Sequence, residues 1–145
     1  MRCHPILKSC KPSLIATALL LPTGLLADEV AGFNTLICHG LSAARCEITT
    51  GTCEPKTPWA LNLPDFVKLD IRGKHVTSSP PGGEVQRTPI TTIQRTNGLI
   101  LLQGVDGDRP FSWLITEATG EGTMTMSSPQ AGITVFTVCA PLEKL

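Results

Sequence analysis

The stretch TPITTIQRTNGLILLQGVDGDRPFSWLITEATGEGTMTM, residues 88–126, decides the fold. Asn97-Gly98 lies in its first third. That dipeptide suits a type I′ hairpin turn, which needs positive φ at both central positions. Before it, Ile90 and Ile93 stand among threonines. After it, Leu99-Ile100-Leu101-Leu102 is continuous enough to be covered on both faces. Asp106-Gly107-Asp108 and Thr119-Gly120 turn the chain again. Phe111, Trp113 and Ile115 hold alternate positions on one face, and Met124 and Met126 alternate with Thr123 and Thr125.

The same rhythm continues in both directions. Ile133–Cys139 reads as a last strand dominated by β-branched residues. Upstream, Val67, Leu69 and Ile71 share a face, Arg72-Gly73-Lys74 turns, and His75-Val76-Thr77 returns. Ser78-Ser79-Pro80-Pro81-Gly82-Gly83 is a surface loop. Phe33–Cys38 is an opening strand. Between residues 39 and 65 the pattern dissolves into Gly, Pro, Thr and Cys, and Pro55, Pro58 and Pro64 forbid a long helix. About eight strands at roughly ten-residue spacing predict an all-β domain, a small antiparallel meander closed as a barrel or flattened as a sandwich. An eight-stranded barrel has an interior that side chains fill or that holds one small ligand.

The first residues read as an address. Arg2, Lys8 and Lys11 precede an apolar run from Leu14 to Leu21, Pro22 and Gly24 break it, and Ala27 precedes Asp28. A basic stretch, a short apolar core and a small residue at the exit form a secretory signal, predicting cleavage near Ala27. The expected organisation is a signal peptide over residues 1–27, carrying Cys3 and Cys10, and one β domain over residues 28–145. The run is too short to span a bilayer comfortably, so no membrane span is expected after cleavage. The 145-residue chain has 12 basic and 12 acidic side chains. The three basic residues before Ala27 leave with the leader, giving the β domain a charge of −3. That balance offers no electrostatic reason to bind nucleic acid.

Cys38, Cys46, Cys53 and Cys139 remain. An even number in a small exported domain reads as a disulfide framework. Three pairings are open. The favoured one joins Cys38 to Cys139, tying first strand to last, and Cys46 to Cys53, stapling the irregular segment. A metal site on Cys38, His39, Cys46 and Cys53 lacks the Cys-x-x-Cys knuckle that zinc and redox sites use.

These cysteines, with Trp59 soon after the middle pair, resemble the pattern of small exported proteins of Gram-negative bacteria in which a signal peptide precedes a cysteine-stapled β domain. Residues 115–126, Ile-Thr-Glu-Ala-Thr-Gly-Glu-Gly-Thr-Met-Thr-Met, are similar to their penultimate hairpin. The resemblance covers most of residues 33–141 and rests on cysteine spacing and strand rhythm. It implies a periplasmic location and a compact β fold, and it carries no activity; the signal and the cysteines together predict a periplasmic or secreted protein. The Gly-x-Trp of lipocalins is absent. So are recognisable inhibitory loops of the periplasmic C-type lysozyme inhibitors, which share an early and a late cysteine in a small barrel.

The usual catalytic constellations are also missing. There is no Gly-x-Ser-x-Gly elbow and no phosphate-cradling loop. His39 and His75 read as structural or solvated side chains, Asp106 and Asp108 as turn residues rather than a calcium site, and Glu117 with Glu121 as exposed charges. The expectation is a non-enzymatic binding or interaction module with no cofactor, whose partner is a small ligand or an envelope protein. A small envelope enzyme, an inhibitor of one, and a structural envelope protein are the alternatives. Trp113 reads as core or as the floor of a ligand pocket. Trp59 reads as a plug for one barrel end or as an aromatic offered to a partner. Any site is expected in the segments 40–59 and 78–87, where the strand pattern fails.

Overall fold

The computed structural model describes residues 29–144. The expected signal peptide and its cleavage point lie outside the described residues. Among the described residues there are nine strands: β1 (Thr35–Glu47), β2 (Cys53–Lys56), β3 (Phe66–Asp70), β4 (His75–Ser78), β5 (Gln86–Thr96), β6 (Leu99–Asp106), β7 (Arg109–Thr116), β8 (Glu121–Ser127) and β9 (Ala131–Pro141). The sheet runs β2-β1-β3-β4-β5-β6-β7-β8-β9, every pair antiparallel, and β9 returns to pair with β1. The architecture is therefore a closed up-and-down barrel of β1 and β3–β9, with β2 added outside the ring. Closure removes the sheet edges that a sandwich would leave. No helix among the described residues is long and apolar enough to cross a membrane.

Strand β1 serves both parts. Thr35–His39 pair with β3 and Ala43–Cys46 with β2, while the opposite edge follows β9 from Leu36 to Glu47. It continues well past the expected end at Cys38. A bulge between Gly40 and Ser42 explains why the sequence hides this. The extra residue reverses the alternation, so Leu36 and Cys38 face inward before it and Ala43 after it. Most of the supposedly irregular segment 40–59 is thus strand, and β5 begins at Gln86, inside the other expected loop. Strand β2 keeps a free edge. It is short, contains Pro55 and carries Glu54 and Lys56, features that discourage pairing with another chain.

The hairpin chemistry follows the sequence. Asn97 and Gly98 have φ of 50° and 75°, as a type I′ turn requires. On β6 only alternate residues are buried: Ile100 and Leu102 enter the core, while Leu99 and Leu101 are half-exposed on the outer wall. Phe111, Trp113 and Ile115 all point inward, as their spacing predicts.

The core occupies one half of the barrel. Leu36, Leu69, Ile100, Leu102, Trp113 and Ile115 are fully buried there. The chain before β1 closes that end. Val30, completely buried, donates its backbone N–H to Glu117 O at 2.8 Å, and Ile71 donates to Asn34 O at 2.8 Å. Arg95 adds a hydrogen bond to Phe33 O and an ion pair to Glu117 at 3.1 Å.

Both disulfides have the favoured pairing, Cys38–Cys139 and Cys46–Cys53. Each joins residues directly opposite in adjacent strands, β1 with β9 and β1 with β2. The first is buried across the seam where the barrel closes. Two such bridges belong to an oxidising, extracytoplasmic environment.

Candidate functional site

The other half of the barrel is not filled. It contains a cavity of about 300 Å³, at the lower end of the range for small-molecule sites. Trp113, 1% exposed, forms its floor. The indole N–H donates to Thr137 Oγ1 at 3.1 Å, so neither buried polar group is left unpaired. Phe111, Met124, Met126, Val135, Val67 and Val76 supply apolar wall. Methionine suits such a wall because its flexible thioether adapts to different shapes.

The mouth is covered by the segment between β2 and β3. A 3₁₀ turn at Trp59–Leu61 brings Pro58, Leu61, Leu63 and Pro64 to the cavity. The turn is bonded internally: Leu61 N–H and Leu63 N–H both donate to Pro58 O at 3.0 Å, and Asn62 N–H to Trp59 O at 2.9 Å. Asn62 takes φ 54°, ending the turn. Gly40 lets the segment approach the barrel. A Cβ there would stand 3.1 Å from Pro58 Cγ, closer than side chains normally pack. At its exit, His39 Nδ1–H donates to Asp65 O at 2.7 Å.

Trp59 does not plug the barrel: it is 64% exposed and is not among the residues that line the cavity. Its neighbours Pro58 and Leu61 do the covering. The turn brings Pro58 and the run Leu61–Pro64 to the cavity and leaves Trp59 and Ala60 exposed.

The polar part of the lining lies on consecutive strands. Ser78 ends β4, Gln86 and Thr88 begin β5, Asp106 ends β6 and Arg109 begins β7. Asp106 and Arg109 are register partners across their turn, with Arg109 Nη2 donating to Asp106 Oδ2 at 2.7 Å. Thr88 Oγ1 donates to Asp106 Oδ1 at 3.2 Å. Asp106 is thus an ion-pair partner at the turn. The sequence held the signal for this cluster. Asp106 has the parity of Ile100 and Leu102, Arg109 that of Phe111 and Trp113, and Thr88 that of Ile90. Polar residues on the core face, one near the end of each strand, mark a polar rim on an inward wall.

The remaining candidates are dispersed. His39 packs against Phe66, with ring centroids 4.9 Å apart. His75 accepts a hydrogen bond from Arg87 at 3.0 Å and lies 3.8 Å from Asp70. Neither histidine lines the cavity. Glu117 pairs with Arg95, and Glu121 accepts from Thr119. Among the described residues no group of three or more His, Cys, Asp or Glu is placed to hold a metal ion. Outside the barrel, Leu41, Leu114 and Phe136 form an exposed apolar groove over β7–β9 and the β1 bulge. No protein-family model matches this chain, and no curated protein sequence matches it.

Proposed function

We propose that this protein is a non-catalytic binding module of the cell envelope, periplasmic or secreted, that holds a small apolar-bodied ligand inside its barrel. The observation that carries the reading is the half-empty interior, a cavity of about 300 Å³ with an apolar wall and a polar rim, above a densely packed floor. A barrel that served only as a scaffold gains stability by filling such a space, because each missing contact forfeits dispersion energy. An engineered apolar cavity of ~150 Å³ accommodates benzene, so twice that volume corresponds to a ligand of about a dozen non-hydrogen atoms.

The alternatives fit the arrangement less well. A small enzyme calls for a histidine or an acid pair converging on a cleft, and His39 and His75 belong to the outer wall. An inhibitor of an envelope enzyme calls for a projecting loop over a filled core. Here the loop folds back over an unfilled one.

Native mass spectrometry of the protein purified from an exporting host tests the reading. The expected spectrum contains an extra small mass that is lost on denaturation and is absent from Val135→Phe, whose larger ring fills the cavity. A bare mass from the unsubstituted protein, together with no binding from a panel of small apolar compounds, overturns it.

A further inference from the structure

The lining divides by chemistry as well as by position. Met124, Met126 and Val135 form an apolar wall on β8 and β9, while the polar groups gather at the mouth on β4–β7. A ligand fitting this space carries a hydrocarbon body and one polar end, with the polar end against the rim of β4–β7. The charge of that end is constrained by Asp106 and Arg109. Each neutralises the other at 2.7 Å, and Thr88 holds the second carboxylate oxygen. A carboxylate on the ligand that reaches the remaining guanidinium N–H groups lies beside the Asp106 carboxylate, which repels it. An ammonium that reaches Asp106 is repelled by Arg109 in the same way. A neutral group that both donates and accepts disturbs neither ion. Arg109 keeps unused N–H donors and Asp106 keeps free lone pairs. Ser78 and Gln86 are register partners beside them on the rim, and both line the cavity.

We infer that the ligand is a medium-chain amphiphile with an uncharged head, an amide or alcohol rather than an acid or amine. Its head is held at the Asp106–Arg109 pair and its chain lies over Trp113. The inference rests on the proposed binding role and specifies its ligand.

The experiment uses three probes with the same ten-carbon body: decanamide, decanoate and decylamine, each of about a dozen non-hydrogen atoms, matching the cavity. The protein carries Trp59→Phe, which leaves Trp113 as its only tryptophan and makes its emission the report of cavity occupancy. Decanamide is expected to bind about tenfold tighter than either charged probe, equivalent to 1.4 kcal/mol. Asp106→Asn frees the guanidinium and is expected to bring decanoate to the front. Arg109→Gln frees the carboxylate and is expected to favour decylamine. Circular dichroism confirms that each variant is folded, and the opposite directions of the two switches separate charge selection from general damage. A charged probe that equals decanamide in the unsubstituted rim, or a ranking that neither variant changes, overturns the neutral-head inference while leaving the cavity's binding role intact. Failure of all three probes to alter Trp113 emission or add mass overturns the binding role and this inference with it.

Discussion

The two ends of the barrel are closed by different means. At the packed end the chain from Val30 to Asn34 is joined to the wall by backbone hydrogen bonds, and Val30 is completely buried beneath it. At the cavity end the segment from Pro58 to Pro64 bonds mainly to itself and touches the barrel through buried Pro58 and half-buried Leu61, Leu63 and Pro64. One cap is part of the folded core. The other is a compact turn resting over a void. Regions with few buried apolar contacts open at low free energy, so the same wall provides a rigid base and an accessible mouth.

The largest test of this contrast compares the disulfides. Cys38–Cys139 spans 101 residues and closes the barrel seam, and the chain-entropy relation gives it about 4.7 kcal/mol. Cys46–Cys53 spans 7 residues in the extension beyond the mouth, and the same relation gives about 2.5 kcal/mol. Since β1 and β2 are already held as a hairpin, its measured contribution should be smaller still. Urea denaturation of Cys38→Ser with Cys139→Ser should therefore show a much larger loss than Cys46→Ser with Cys53→Ser. Equal losses would mean that the mouth extension is integral to the core.

Core truncations sharpen the comparison at smaller scale. Leu102, fully buried at the packed end, should cost about 2–5 kcal/mol as Leu102→Ala. Leu63→Ala at the mouth should cost below about 1 kcal/mol, because the residue is half-buried and already borders empty space. If Leu63→Ala proves as costly as Leu102→Ala in the same denaturant titration, the mouth segment is structural and the contrast fails.

A third change lies at the boundary between the halves. Thr137→Val preserves the shape of the side chain but removes the acceptor of the Trp113 indole N–H. Leaving that buried donor unpaired should cost about 1–3 kcal/mol and shift Trp113 emission. An unchanged stability with unchanged emission would show that the indole finds another partner and that the cavity floor is adaptable rather than fixed.

The packed half was far more legible in sequence than the mouth. Ile100 and Leu102, then Trp113 and Ile115, repeat every second residue, and Asn97-Gly98 permits few conformations other than a tight hairpin. Local rules therefore determine those strands and their inward faces. The favoured disulfide pairing followed from the same logic, since residues on the first and last strands meet when a meander closes. At the mouth, local rules compete. The bulge at Leu41 reverses the alternation of β1, so a thirteen-residue strand resembles a six-residue strand followed by a loop. Size alone leaves Trp59 either a plug or an exposed aromatic, because the direction of a side chain on a 3₁₀ turn depends on what the turn rests against; the plug is the reading its exposure excludes. The Asp106–Arg109 pair required reading charged residues by strand parity as well as by their place in a turn. That parity becomes decisive only when barrel closure defines an inside.

The smallest expected effect concerns β2, on the mouth side. Lys56 Nζ lies 2.7 Å from Glu54 Oε2, and this hydrogen bond and its positive charge hold the Glu54 carboxyl below its ordinary value of 4.5. A carboxyl whose folded pKa is depressed contributes stability above its unfolded pKa and loses that contribution as pH falls through the folded value. Acid should therefore weaken the β2 hairpin below about pH 4.5. Glu54 is fully solvated, so the contribution to global stability should be near the limit of detection and sensitive to salt. An NMR titration of the Glu54 side chain should give a midpoint below 4.5 that rises toward the ordinary value in Lys56→Gln and in high salt. A midpoint unmoved by either change would mean that the pair is not formed in solution. The edge of β2 would then be guarded by Pro55 and its short length alone, with the Cys46–Cys53 bridge holding the hairpin against β1.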